Sequence, residues 1–123
     1  MKNVRRIAVV DRSVLAHNVY RLLLRPLGSS LFPFNSIQSL KNTLTSKSGL
    51  HALLVNSNVF GKNFEGGFDW LKKEGTVKNL EKIFLCQAGE NKMAGALKNL
   101  PKSRVVLKPF HPSQLKEVLE KLC

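Results

Sequence analysis

An α/β domain built on a parallel sheet is what this sequence predicts, and three observations predict it. Four short runs, 7–10 (Ile-Ala-Val-Val), 52–55 (Ala-Leu-Leu-Val), 83–86 (Ile-Phe-Leu-Cys) and 105–107 (Val-Val-Leu), are apolar at nearly every position. Such runs, rich in β-branched residues and bounded by polar ones, suit strands buried on both faces. Segments of helical period lie between them, and strands alternating with helices build a parallel sheet. The length, 123 residues, suits a single domain over 1–123 that buries roughly two-thirds of its unfolded surface.

After the first strand, Val14, Leu15, Val19, Leu22 and Leu23 recur at three to four residues and form the apolar stripe of a helix, closed by Pro26 and Gly28. Leu31-Phe32-Pro33-Phe34 fits a weak strand, and because proline cannot donate to a ladder this strand belongs at a sheet edge. Ile37, Leu40 and Leu44 repeat the helical period behind Ser36, a good N-cap. Residues 61–75 start as loop and become a short helix over 68–73, with Trp70 and Leu71 as its packing residues. A weakly patterned helix within 89–100 ends at Pro101, and Leu115, Val118, Leu119 and Leu122 mark a last helix behind His111-Pro112. There is no internal repeat, low-complexity tract or linker.

Composition narrows the functional classes. The net charge is +12, from 20 Lys and Arg against 8 Asp and Glu. The excess is uneven: residues 1–64 hold nine basic side chains and only Asp11, which favours acidic partners such as nucleic acid or anionic lipid. No run is long and apolar enough to span a membrane. Lys2, Arg5 and Arg6 ahead of residues 7–10 resemble a signal peptide only superficially, since Asp11 and Arg12 cut the apolar run short, so a cytoplasmic chain is expected. Cys86 and Cys123 have no CxxC spacing, and His17, His51 and His111 never sit at i, i+4, so neither a disulfide framework nor a metal site is expected.

In open parallel sheets the functional crevice lies beyond the carboxyl ends of the strands. The residues there are Asp11-Arg12-Ser13, Asn56-Ser57-Asn58, Cys86-Gln87 and Lys108-Pro109-Phe110. No glycine-rich phosphate loop follows the first strand, so no dinucleotide or NTP site is signalled and no cofactor is expected. Val9-Val10-Asp11, Leu54-Val55-Asn56, Leu85-Cys86-Gln87 and Leu107-Lys108-Pro109-Phe110, in that order, resemble the receiver domain of bacterial two-component response regulators. Intervals of 45, 30 and 22 residues separate Asp11, Asn56, Cys86 and Lys108, and the resemblance covers essentially the whole chain. It implies a flavodoxin-like (CheY-like), doubly wound parallel sheet of five strands in order 2-1-3-4-5, with helices on both faces.

The departures from that family carry the functional expectation. A working receiver has two adjacent acidic residues after the first strand, a phosphoacceptor aspartate after the third and a Ser or Thr after the fourth. Here the positions read Asp11-Arg12, Asn56 and Cys86. Magnesium needs anionic oxygen ligands, and one carboxylate beside a cation does not supply them. An amide nitrogen is not nucleophilic, so Asn56 forms no acyl phosphate. Val105 stands where many relatives carry an aromatic switch residue. The resemblance therefore implies a degenerate phosphoacceptor pocket of Asp11, Arg12, Asn56, Cys86 and Lys108, with no catalytic residue and no metal. It also implies a pseudo-receiver that recognises a protein partner without phosphorylation.

Several features admit two readings. Lys108 is expected in a buried ion pair with Asp11; alternatively Lys108, Arg12 and the Asn56 amide hold an anion or a partner's carboxylate. In the family Pro109 follows a cis peptide bond, a structural feature. Cys86 is expected to be packed and inert. Phe60, Phe64, Phe68 and Trp70, among Lys62, Lys72 and Lys73, are expected to cap the sheet, although aromatics interleaved with lysines also suit stacking on single-stranded nucleic acid. The partner surface is expected on the last strand and helix, at Arg104, Gln114, Lys116, Glu117, Glu120 and Lys121, where a homodimer would also form. The alternative function is a basic nucleic-acid or polyanion-binding domain.

Overall fold

Strand and helix alternate along the chain in the computed structural model, which describes residues 6–44, 49–108 and 111–122. The elements are β1 (Arg6–Val10), α1 (Val14–Leu24), β2 (Ser30–Phe34), α2 (Ile37–Thr43), β3 (Ala52–Asn56), α3 (Phe64–Lys73), α4 (Gly75–Lys78), β4 (Glu81–Gln87), α5 (Asn91–Lys98), β5 (Ser103–Lys108) and α6 (Pro112–Leu122). Every strand pair is parallel, and the order is β2-β1-β3-β4-β5. This is the doubly wound arrangement expected from the sequence. Pro33 lies opposite Val9 on β2, an edge strand, where its missing N–H costs no ladder bond.

Alternation along the strands divides the core between the two sheet faces. Ile7, Val9, Leu54, Ile83 and Leu85 pack with Tyr20 and Leu24 of α1 and Leu115 and Leu119 of α6. Ala8, Val10, Leu53, Val55, Phe84 and Cys86 pack on the other side, under α2, α3, α4 and α5, against Ile37, Leu40, Leu71, Val77 and Leu97. The central strands β1 and β3 are buried on both faces as their sequences predict. The fifth strand is not: β5 is an edge, its residues are only partly covered, and Leu107 is 49% exposed.

Two helices differ from the sequence reading. In α1 most of the expected apolar stripe faces outward, and of its members only Leu23 packs against the core. Val14, Leu15, Val19 and Leu22 face solvent, while His17, Tyr20 and Leu24 face the sheet. Burial of a polar side chain is costly unless it is hydrogen-bonded, and Asp11 supplies a partner to the Tyr20 hydroxyl and to His17 Nε2, although His17 Nδ1 is buried without one, so the helix turns these polar-tipped residues inward. The helix expected over 68–73 begins at Phe64, capped by the Asn63 side chain, which accepts from the Gly66 N–H at 3.1 Å. Gly66-Gly67 lowers helix propensity and so hides this first turn from a sequence reading. Gly67 is there for space: a Cβ at this position would lie 2.8 Å from Phe60 Cδ1. The Phe60, Phe64 and Phe68 rings pack edge-to-face and stacked at 5.2 and 5.4 Å beneath this helix, the sheet-capping role expected of them.

One core member carries no signal in the sequence. Lys82 of β4 is wholly buried, and its Nζ donates to the carbonyls of Lys78, Leu80 and Pro101 at 3.2, 2.8 and 2.8 Å. Three N–H groups meet three acceptors, so the ammonium clips the end of α4 and the turn before β5 onto the sheet. Burial pushes the Lys82 pKa down to about 8, with the Lys102 cation adding to the fall and Glu81 opposing it.

Candidate functional site

The strand order reverses between β1 and β3, and the crevice at their carboxyl ends is the position where open α/β sheets place ligands. Asp11 follows β1 there, buried, with its backbone N–H bonded to the Phe34 carbonyl of β2. Four donors converge on its carboxylate. Tyr20 Oη and Asn56 Nδ2 donate to Oδ2 at 2.7 and 2.9 Å, while the Ser13 N–H and Asn58 Nδ2 donate to Oδ1, both at 2.9 Å. Burial alone would raise the Asp11 pKa. The bonds from Asn58, Ser13, Tyr20 and Asn56 outweigh it and hold the carboxyl below its ordinary value. Burial, together with the same carboxylate, pushes the Tyr20 hydroxyl well above its usual range.

Asn56 is the hub of the pocket. Its Nδ2 donates to Asp11, and its Oδ1 accepts from Lys108 Nζ at 2.8 Å and from the Asn58 N–H at 3.2 Å. Lys108, at the end of β5, thus reaches across β4 to the end of β3. This corrects the expected Asp11–Lys108 ion pair. The two charges are joined through the amide, which presents its donor to the anion and its acceptor to the cation, an alignment a second carboxylate would not allow. Asn58 closes the ring by accepting the Arg12 N–H at 3.3 Å.

Among the described residues, neither the Arg12 nor the Cys86 side chain has a hydrogen bond within that ring. The Arg12 side chain is exposed, and among the described residues it forms no ion pair with Asp11. Cys86 is packed in the core with no exposed surface, and burial pushes its thiol pKa up to about 11, with the Glu90 charge adding and Lys108 opposing. Pro109, Phe110 and Cys123 lie outside the described residues. Among the described residues no group of three or more His, Cys, Asp and Glu side chains is placed to hold a metal ion. His51 instead accepts the Arg6 N–H at 2.9 Å.

Tyr20, His17 and Glu90 were not assigned to the site from the sequence, and Asn58 was placed at the strand end without a role. Tyr20 and His17 lie three residues apart on one face of α1; the Tyr20 hydroxyl reaches the Asp11 carboxylate and His17 Nε2 lies 2.9 Å from the Asp11 carbonyl. That i, i+3 polar pair among leucines was the available signal. Asn58 has the spacing of an Asx turn two residues after Asn56. Glu90 accepts from Ser57 Oγ at 2.8 Å and from the Gln87 N–H, tying the end of β4 to the turn after β3. The expected partner surface is exposed at Arg104, Gln114, Lys116, Glu117, Glu120 and Lys121, with charges of both signs.

No family model matches the sequence, and no curated protein matches it either. The fold, however, has many solved counterparts. The receiver domain of an HD domain-containing protein from Pseudomonas fluorescens Pf-5 aligns at a TM-score of 0.79 and 15% identity, covering 99% of this chain and 88% of that one. The fold is that of a receiver domain. The chemotaxis response regulator CheY4 of Vibrio cholerae aligns at a TM-score of 0.77 and 15% identity over 98% of this chain and all of that one. A response regulator receiver protein from Pseudoalteromonas atlantica aligns at 0.77 and 20% identity over 95% of each chain. The receiver-like resemblance seen in the strand-end residues is therefore matched in three dimensions, with the strand order it implied. No helix among the described residues is long and apolar enough to cross a membrane.

Proposed function

We propose that this receiver-like domain is a protein-interaction module of a signalling system, one that works without accepting a phosphoryl group. The observation that carries the reading is the closed hydrogen-bond ring on Asp11, in which Asn56 occupies the acceptor position with an amide. An amide nitrogen does not attack phosphorus, and the amide oxygen is already bonded to Lys108 and Asn58. The residues present do not fit magnesium. Both oxygens of the Asp11 carboxylate carry two protein donors each, and the side chains bonded around it are amides, a phenol and, through Asn56, a lysine. Cys86, sunk in the core, offers no group to a phosphoryl oxygen.

Without that chemistry, what remains is a folded frame with surfaces, and recognition of a protein partner is the use such a frame supports. Incubation with acetyl phosphate and magnesium, followed by intact-mass measurement, tests the reading. The expected spectrum shows no added phosphoryl group. A mass increase of one phosphoryl group that disappears in Asp11→Ala or Asn56→Ala overturns it.

The charge distribution favours one second reading, binding of nucleic acid or another polyanion. Residues 12–64 contain no acidic side chain. This reading requires oligonucleotide binding that collapses between about 50 and about 200 mM salt, as counterion release dictates.

A further inference from the structure

Three helices end together at the amino ends of β4 and β5, the opposite end of the sheet from Asp11. Helix α3 runs into α4 through Glu74, α4 stops at Lys78 shortly before β4, and α5 stops at Lys98 shortly before β5. Between them lies a cavity of about 530 Å³. That is within the range of roughly 300–1,000 Å³ occupied by small-molecule sites. Buried Leu100 and half-buried Phe68 and Ala96 give it an apolar floor, and exposed Lys72, Lys78 and Pro101 form its rim.

The charge around this floor has one sign. Among the described residues no carboxylate pairs with the Lys72 or Lys78 ammonium, and Glu74, at the head of α4, is engaged by the Thr76 N–H and hydroxyl. A third ammonium stands behind the wall: Lys82 Nζ donates to the carbonyls of Lys78 and Pro101, both of them cavity residues. Carbonyls satisfy its hydrogen bonds without cancelling its charge, and a cleft with low-dielectric walls focuses such a field. Helix carboxyl ends ordinarily repel anions. Here their carbonyls are occupied, those of Lys78 and Pro101 by Lys82 and that of Leu97 by Ser103 Oγ at 2.7 Å.

We propose that this cavity binds a small amphipathic carboxylate, an apolar body of about ten carbons carrying one anionic group. The body covers Phe68, Ala96 and Leu100, and the carboxylate sits between Lys72 and Lys78. Burial of the apolar body supplies affinity, and the lysines select the sign of the charge. The site goes beyond the reading of the domain as an interaction module and does not depend on it. Other ligands fit less well. A cation would meet three ammonium groups, and a metal ion finds no carboxylate, thiol or imidazole among the lining residues. Inorganic phosphate and a nucleic-acid backbone satisfy the lysines but cover none of the apolar floor.

The probe is naphthoate, titrated into the full 123-residue chain with backbone amide chemical shifts as readout. Saturable shifts are expected within 68–78 and 96–101. The affinity should weaken at least about fivefold in the double variant Lys72→Gln/Lys78→Gln, and by a similar factor when neutral naphthylmethanol replaces naphthoate. Lys116→Gln/Lys121→Gln removes the same charge from α6 and should leave the affinity within about twofold. Acetate and inorganic phosphate at the probe's concentration should not displace it. All four substituted lysines are exposed, so circular dichroism should report an intact fold for both variants.

The inference is overturned by absent or unsaturable shifts, by shifts centred on another part of the chain, or by equal binding of naphthylmethanol. It is overturned equally if both lysine pairs weaken binding to the same extent, which would trace the effect to net charge, or if acetate or phosphate displaces the probe, which would mark a bare anion site. These outcomes are independent of the acetyl phosphate experiment. A chain that takes up a phosphoryl group and still binds naphthoate would refute only the phosphorylation-independent function, and an unphosphorylated chain that ignores naphthoate would refute only the carboxylate site.

Discussion

Replacing Asp11 by asparagine removes one oxygen from a carboxylate that four donors share, and the structure sets the size of the effect. The substituted amide would offer one oxygen and one NH2, so two of the four donors, either Tyr20 with Asn56 or Ser13 with Asn58, would face another donor. Hydrogen bonds to a charged group contribute roughly 1.5–3 kcal/mol each and neutral ones about 1 kcal/mol. Two bonds vanish and two become neutral, while the desolvation cost of the buried charge is relieved. The expected net loss is about 4 kcal/mol, against a total of about 5–15 kcal/mol for a domain. Urea unfolding followed through Trp70, the only tryptophan, measures it. With a slope near 1.5 kcal/mol per molar, the midpoint should fall by about 2.5 M. Tyr20→Phe removes one donor of four and should cost about 2 kcal/mol.

The pH dependence supplies a second check on the same variant. The folded Asp11 pKa lies below its ordinary value of 3.8, so its stabilisation is fully present above that value and is lost as pH falls through the folded one. The gap between wild type and Asp11→Asn should therefore narrow only in acid, below about pH 4. A loss under about 1 kcal/mol, or one no larger than that of Tyr20→Phe, would show that the carboxylate does not organise the pocket and would refute the reasoning.

Three further outcomes are expected. Lys82, with a folded pKa of about 8 against an ordinary 10.5, contributes stability that is fully present above 10.5 and lost as pH falls toward 8. Stability should thus rise with pH across that window relative to Lys82→Met, and parallel pH profiles of the two proteins would refute it. Gly67→Ala drives a methyl to within 2.8 Å of the Phe60 ring and should cost about 1–3 kcal/mol in urea unfolding. Cys86, buried with its thiol raised to about 11, should resist iodoacetamide at pH 8 in the native protein and react once unfolded, as peptide mapping will show.

The sequence by itself determined the strand positions, because runs such as Leu53-Leu54-Val55 have no stable place except between two apolar layers. It also determined the edge role of Pro33, fixed by a missing N–H, the cap at Ser36, and the chemical character of Asn56, since an amide is an amide in any fold. Only the tertiary structure decided which face of α1 is buried. Period alone assigned Leu15, Val19 and Leu22 to the core, but the Asp11 carboxyl and carbonyl, brought beside the helix by the sheet, make burial of Tyr20 and His17 the better solution. Tertiary placement likewise routed Lys108 to Asn56 in place of Asp11, turned Asn58 onto Asp11, drew Glu90 to the strand ends, and matched the Lys82 ammonium to three carbonyls from two segments. Local periodicity records what a side chain prefers on average, whereas a buried polar group is decided by the one partner that folding places within about 3 Å of it.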